Sequence, residues 1–159
     1  MLFIVLPAFN EAEALPKLVA DLELVCQDYP YQIIIVNDGS SDRTQEIACQ
    51  LTQTNPAIHV INHDQNRGLG AALFSGFIKA LDLQRSVHHR ENAENIPDVV
   101  VTMDCDNTHP PDRIPLLLNC IQQGADLAIA SRYVPGGRQI GLRWLRKFLS
   151  RCAGLLMGT

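Results

Sequence analysis

Short apolar runs that end in polar turns, each followed by a stretch of helical periodicity, constrain this chain more than any other feature. The runs are residues 2–6, 33–36, 59–61, 99–103 and 127–130. Runs this short, dominated by Val, Ile and Leu, read as strands buried on both faces. Between the first two, Leu15, Leu18, Val19, Leu22 and Val25 stand at core spacing and predict a helix over residues 11–27. Asn10 with Glu13 three positions later matches a capping box opening that helix. A second helix is predicted over 43–52, its start capped from the polar turn Asn37-Asp38-Gly39-Ser40-Ser41-Asp42. A third opens at Asn66-Arg67-Gly68-Leu69-Gly70 and carries Leu73, Phe77 and Leu81, and a fourth covers 114–122. Strands alternating with helices predict an α/β chain: an open, mostly parallel sheet with helices on both faces, binding its ligand beyond the carboxyl ends of the strands.

Composition removes several classes of function. With 159 residues, 47% of them hydrophobic, the chain suits one globular domain over 1–159. Its 13 basic and 17 acidic side chains leave a net charge of −4, which argues against nucleic acid as a partner. Any anionic ligand therefore needs local help from a metal ion or placed arginines. The five cysteines form no C-x-x-C pair and read as reduced, cytosolic thiols. The N-terminal MLFIVLPAFNE lacks a basic leader region and a cleavage site, so it reads as a first strand and not as a signal peptide. No run of about 18 apolar residues occurs, so no membrane span is predicted.

Two local patterns invite chemistry and carry little of it. Gly68-x-Gly70 lacks the third glycine of a dinucleotide fingerprint, Leu73 standing in its place, so packing at a helix start is favoured over a phosphate cradle. His88 and His89 fall in a polar stretch, 84–97, with no convergent partners, and read as a solvated loop.

The chemistry is expected at residues 98–111, DVVVTMDCDNTHPP. Asp104 and Asp106 stand two residues apart at the end of a strand, and in extended backbone they face the same side. Adjacent carboxylates repel unless a cation sits between them, and a hard divalent ion takes one or two carboxylates and fills its other positions with phosphate oxygens and water. An Asp-x-Asp by itself also fits an ordinary strand end. Cys105, between the two, alternates to the other face and reads as a small core residue. If the sheet is parallel, Asn10-Glu11, Asp38 to Asp42 and Asp104 to Asp106 share one rim.

Pro7-Ala8-Phe9-Asn10-Glu11, the Asn37 to Asp42 turn, Asp104-Cys105-Asp106 with His109-Pro110-Pro111, and Ser131-Arg132-Tyr133 together resemble family 2 glycosyltransferases. The resemblance is strongest to the dolichyl and polyprenyl phosphate mannosyl- and glucosyltransferases, and it covers nearly the whole chain in order. It implies the GT-A nucleotide-diphospho-sugar transferase fold, C-terminally truncated here. It implies an inverting, metal-dependent enzyme that uses Mg2+ or Mn2+ and a donor of the GDP-mannose or UDP-glucose type. The implied acceptor is a polyprenyl (dolichyl or undecaprenyl) phosphate, and the implied location is peripheral, at the cytoplasmic face of the membrane. By position, Pro7, Phe9 and Glu11 would line the nucleoside, with Phe9 where the family more often has tyrosine. Val36 and Asp38 would be the base-side strand end and its carboxylate. Asp104, Cys105 and Asp106 would be the diphosphate segment, and Asp104, Asp106 and Thr108 the metal ligands, Thr108 standing where the family often has glutamine. Arg132 would be a cation facing the donor, and Asp104, Asp106 and Arg132 the catalytic set.

Two readings stay open. Glu11 also suits the first turn of a helix, where a carboxylate complements the dipole. The segment 135–159 is a Pro135-Gly136-Gly137 loop and a predicted helix over 142–157 that interleaves Arg143, Arg146, Lys147 and Arg151 with Trp144 and Phe148. That helix suits either a membrane surface or the sheet. The alternatives to lipid-linked transfer are a polysaccharide or protein acceptor, or nucleotide-sugar binding without turnover.

Overall fold

The structure, a computed structural model, describes residues 1–88 and 98–131. Met1–Ala128 is one compact unit; of the second, Ile129–Thr159, only residues 129–131 are described, and they carry no regular secondary structure. The first unit runs β1 (Leu2–Ala8), α1 (Leu15–Cys26), β2 (Tyr31–Asn37), α2 (Thr44–Thr54), β3 (Ile58–Asn62), α3 (Leu69–His88), β4 (Val99–Thr102), a single 3-10 turn (Pro111–Arg113) and α4 (Ile114–Gln122). The strands form one parallel sheet in the order β3-β2-β1-β4. β1 is interior, paired Ile4 to Ile33 on one side and to Val101 on the other. That position explains its unbroken apolar run: both its faces are covered.

Side chains alternate between two cores. Leu2, Ile4 and Leu6 of β1, with Ile33 and Ile35 of β2, meet Leu15, Leu18 and Leu22 of α1, Ala48 of α2, and Ile114 and Leu118 of α4. On the opposite face Phe3, Val5, Ile34 and Val36 meet Ala72 and Ala80 of α3. Among the described residues, three helices therefore cover one face and α3 the other. α3 carries the chain from β3 at one edge, past β2 and β1, to β4 at the other, on the face opposite α1 and α2.

The helices differ from the expected ones in ways that packing explains. Of the three apolar residues read on α3, Leu73 packs against the edge of the core on that face, while Phe77 and Leu81 are exposed. The inward line of the helix is Ala72, Gly76 and Ala80, and Phe74 and Ile78 are exposed as well. The reason is close approach: a Cβ on Gly76 would lie 2.3 Å from Val5 Cγ1, so only small residues fit against the sheet. α3 also runs on to His88, so the start of the segment read as a polar loop is helical. The histidine pair is only half described, because His89 lies outside the described residues.

β4 is less buried than a central strand, with Val100 46% exposed, because α3 packs over β1 and β2 and leaves the β4 flank uncovered. Residues 127–130, expected to be a fifth strand, form none, and Leu127 and Ile129 are exposed. They pair with no strand among the described residues. The predicted helix over 142–157 lies outside the described residues. Among those described, no helix is long and apolar enough to cross a membrane. Cys26, Cys49, Cys105 and Cys120 are free thiols.

Candidate active site

The turns that follow β1, β2 and β4 meet on the carboxyl rim of the sheet. The turn after β1 is tied to the turn after β2 by a set of backbone and side-chain bonds. Asn10 adopts φ 59°, and its Oδ1 accepts hydrogen bonds from Ser41 N (2.8 Å) and Ser41 Oγ (3.2 Å). Asn10 N donates to Ser40 Oγ at 3.0 Å, Glu11 N to Thr44 Oγ1 at 2.8 Å, and Ala12 N to Asp42 Oδ2 at 3.2 Å. The expected capping box is therefore absent. α1 begins four residues later than predicted, at Leu15, with no side-chain cap on Ala14, because Asn10 and its neighbours are engaged across 30 residues of sequence and not within their own helix. Asp42 turns its other oxygen on α2, accepting Thr44 N at 2.9 Å, and the hydrogen bonds from Thr44, the hydroxyl first, hold its carboxyl below the usual range.

On the nucleoside side of the expected site, Phe9 stands exposed at the rim and Pro7 is half-buried, while Val36 is wholly buried in the α3-side core. Asp38 is also buried, and its carboxylate is engaged: Oδ1 accepts from His63 Nδ1 (2.6 Å) and Arg67 N (3.0 Å), and Oδ2 from Gly68 N (2.8 Å). Burial pushes this carboxyl up, but the hydrogen bonds from His63, Arg67 and Gly68 outweigh it and leave it below the usual range. His63 was invisible in the sequence as a site residue. The one signal for it was position, one residue past β3 at the same sheet edge as Asp38.

At the end of β4, Asp104 and Asp106 are exposed, and Cys105 between them points into the core at 2% exposure. Burial first, then Glu11, Asp104 and Asp106, push the Cys105 thiol up to about 12, so it stays a neutral core residue. Asp106 Oδ1 accepts from Thr108 N (2.9 Å) and Thr108 Oγ1 (2.6 Å), a closed Asx-type turn. Burial raises the Asp106 carboxyl, yet the Thr108 bonds and nearby His109 bring it below the usual range. Asp104 Oδ2 lies 3.7 Å from His109 Nδ1. Asn107, at φ 58°, donates from Nδ2 to Ala14 O at 3.2 Å and so pins the loop to the start of α1.

Glu11 shows what this convergence costs. Burial, then Asp106, Asp42 and Asp104, raise its carboxyl above the ordinary value, so among the described residues the positive charge does not offset the four carboxylates that share the rim. No group of three or more His, Cys, Asp or Glu among the described residues is placed to hold a metal ion unaided. The donors available are the free Asp106 oxygen and the Asp104 carboxylate, with Thr108 already donating its hydroxyl to Asp106. Such a set fits a hard divalent ion that takes its remaining oxygens from a diphosphate and water. Arg132 and Tyr133 lie outside the described residues.

The raised Glu11 carboxyl has a measurable consequence. A carboxyl whose folded value exceeds its unfolded one favours the folded state at low pH, and that contribution is lost as pH rises through the folded value. At neutral pH the charged Glu11 is therefore a net burden. Glu11→Gln should raise the melting temperature at pH 7 by about 1–3 °C in the absence of divalent ions, the response to a sub-kcal change in charge repulsion. The gain should disappear as pH falls through the carboxylate range. A melting series from pH 7 to pH 3 checks this, and a gain that persists at the acid end would contradict it.

The sequence model described as Glycosyl transferase family 2 matches residues 3–156. The chain is 36% identical over 150 residues to the dolichol-phosphate mannosyltransferase of Pyrococcus furiosus, covering 94% of this chain and 38% of that protein. It is 37% identical over 151 residues to the polyprenol monophosphomannose synthase of Mycolicibacterium smegmatis, covering 94% of this chain and 52% of that one. The chain thus spans about half or less of the length of these relatives. Its backbone is similar to the crystal structure of S. aureus TarS 1-349, with a TM-score of 0.50 and 19% identity over 77% of this chain and 32% of that chain, a likeness of fold.

Proposed function

The chain belongs to glycosyl transferase family 2, and from that membership we propose that it carries the donor side of an inverting sugar transfer to a polyprenyl phosphate. The donor is a nucleotide-diphospho-sugar of the GDP-mannose or UDP-glucose type, and the protein acts as a peripheral partner of the cytoplasmic membrane face. The observation that carries the reading is the meeting of Glu11, Asp42, Asp104 and Asp106 on one rim, with Glu11 held above its ordinary value by burial first and then by the other three. A surface so short of positive charge at the carboxyl edge of a parallel sheet suits a ligand that brings a divalent cation with it.

In this reading the exposed ring of Phe9, with Pro7 and Glu11, lines the nucleoside, and Val36 and Asp38 form the floor beneath it. Asp104, Asp106 and Thr108 would hold Mg2+ or Mn2+, the Cys105 backbone would follow the diphosphate, and Arg132 would face the donor. The bound ion would neutralise the diphosphate as it leaves. An acceptor phosphate oxygen forms a bond to the sugar C1 on the face opposite the diphosphate, the C1–O bond breaks, and the electron pair goes to the departing nucleoside diphosphate. The acceptor is already anionic at neutral pH, so no side chain has to remove a proton from it. Asp104 and Asp106, through the ion they would hold, and Arg132 are the catalytic set because negative charge grows on the departing diphosphate.

Two other readings are nucleotide-sugar binding without turnover and transfer to a polysaccharide or protein acceptor. One experiment separates them. Melting temperature is measured with GDP, UDP and their sugars, with and without Mn2+, since a ligand that binds only the folded state raises it. The preferred donor is then offered a short-chain polyprenyl phosphate. A Mn2+-dependent shift with glycolipid formed supports the proposal, a shift without glycolipid supports the binding reading, and no shift with any nucleotide overturns both.

A further inference from the structure

Asp38, His63 and Ser75 form a buried chain of polar groups that joins the ends of β2 and β3 to α3. His63 Nδ1 lies 2.6 Å from Asp38 Oδ1, and His63 Nε2 lies 2.9 Å from Ser75 Oγ. His63 is 7% exposed, and every polar atom of the chain has a partner. An ionised carboxylate only accepts, so the Nδ1 nitrogen carries the hydrogen, and the Ser75 hydroxyl completes the other side of the ring. The imidazole is thereby fixed in one orientation by α3, and it fixes Asp38 in turn.

What Asp38 holds is the loop between β3 and α3. Its oxygens accept from Arg67 N and Gly68 N, and Gly39 beside it lies against the backbone of Gln65 and Asn66. The Arg67 side chain of that loop is exposed. We infer that His63 is a positioning residue for nucleotide binding: clamped by Ser75, it sets the Asp38 carboxylate that shapes the Arg67–Gly68 loop as the wall of the nucleoside end. This rests on the reading of the rim as a nucleotide-sugar site. It goes beyond that reading by giving a role to two residues, His63 and Ser75, that it leaves without one.

Two substitutions test the geometry. In asparagine the side-chain amide nitrogen occupies about the place of imidazole Nδ1, so His63→Asn keeps the bond to Asp38 and gives up the one to Ser75. His63→Phe fills the space and removes both. Expected in His63→Phe is a fall of about tenfold or more in affinity for GDP or UDP with Mn2+, and a fall of similar size in amide-exchange protection at Arg67 and Gly68. His63→Asn should recover most of each. Binding of inorganic pyrophosphate with Mn2+, which reports the Asp104 and Asp106 end alone, should stay within about twofold of the parent in both. A parent chain that binds no nucleoside diphosphate would overturn the reading of the rim itself. A parent that binds, with His63→Phe binding equally well or losing pyrophosphate and nucleotide in equal measure, would overturn the role of His63 alone. If His63→Phe does not fold, His63→Leu, which also makes neither bond, takes its place: a fall in the ratio of nucleotide to pyrophosphate affinity relative to the parent supports the role, and an unchanged ratio removes it.

Discussion

Asp106→Asn is expected to lose about a hundredfold in Mn2+-dependent affinity for a nucleoside diphosphate, close to 3 kcal/mol, while its melting temperature moves by about 2 °C or less. The asymmetry follows from how the carboxylate is used. One oxygen closes the turn by accepting from Thr108 N and Thr108 Oγ1, and an asparagine oxygen can do the same, so the loop keeps its shape. The other oxygen is the one available to a cation. In asparagine an amide nitrogen takes its place, which cannot ligate and points hydrogens at the ion. The substitution also removes the largest charge raising Glu11, which offsets part of any loss of stability. Calorimetric titration of GDP or UDP with and without Mn2+ measures the effect. Parent and variant should converge without metal, and equal affinities in its presence would remove Asp106 from the ion-binding set.

The sheet was legible because β1 and β2 are buried on both sides, and burial of that kind writes itself as an unbroken apolar run. The paired aspartates were legible because alternation along extended backbone is a local rule, and Cys105 duly turns inward. What the sequence hid was non-local. Asn10 and Glu13 carry a local capping pattern, but the Asn10 oxygen has better partners in the turn after β2, close only once the strands have paired. α3 concealed its buried face for a related reason. Phe77 and Leu81 are the larger apolar residues, yet Gly76 lies against Val5, and close approach of helix to sheet selects small side chains over greasy ones. His63 lay beyond the reach of any motif, since its worth comes from an aspartate 25 residues away and a serine on the next helix.

Gly39 shows how tightly the rim is built, and Gly39→Ala is expected to destabilise the chain by about 3–5 kcal/mol, more than any exposed substitution should. Two effects combine. Gly39 sits at φ 67°, in the left-handed region, where a side chain costs about 1 kcal/mol in any setting. In addition, a Cβ there would lie 2.3 Å from Gln65 C and 2.4 Å from Asn66 N, both backbone atoms that cannot rotate away. Relief requires the loop after β3 to move off the turn after β2, and that motion draws Arg67 N and Gly68 N away from the buried Asp38 carboxylate. A buried charge short of its donors accounts for most of the expected loss. Gly124→Ala is the control. Gly124 has φ 101°, and nothing lies within 4 Å of where its Cβ would be, so that variant bears the backbone cost without the clash and should lose only about 1 kcal/mol. Urea unfolding of both variants against the parent measures the difference, with a nucleotide titration of the folded fraction alongside. Gly39→Ala should also bind nucleotide more weakly, because the loop that moves is the wall of the nucleoside end. Equal losses at the two glycines would mean that the turns after β2 and β3 yield to one another freely, and the rim would then lack the rigidity that fixing Asp38 requires.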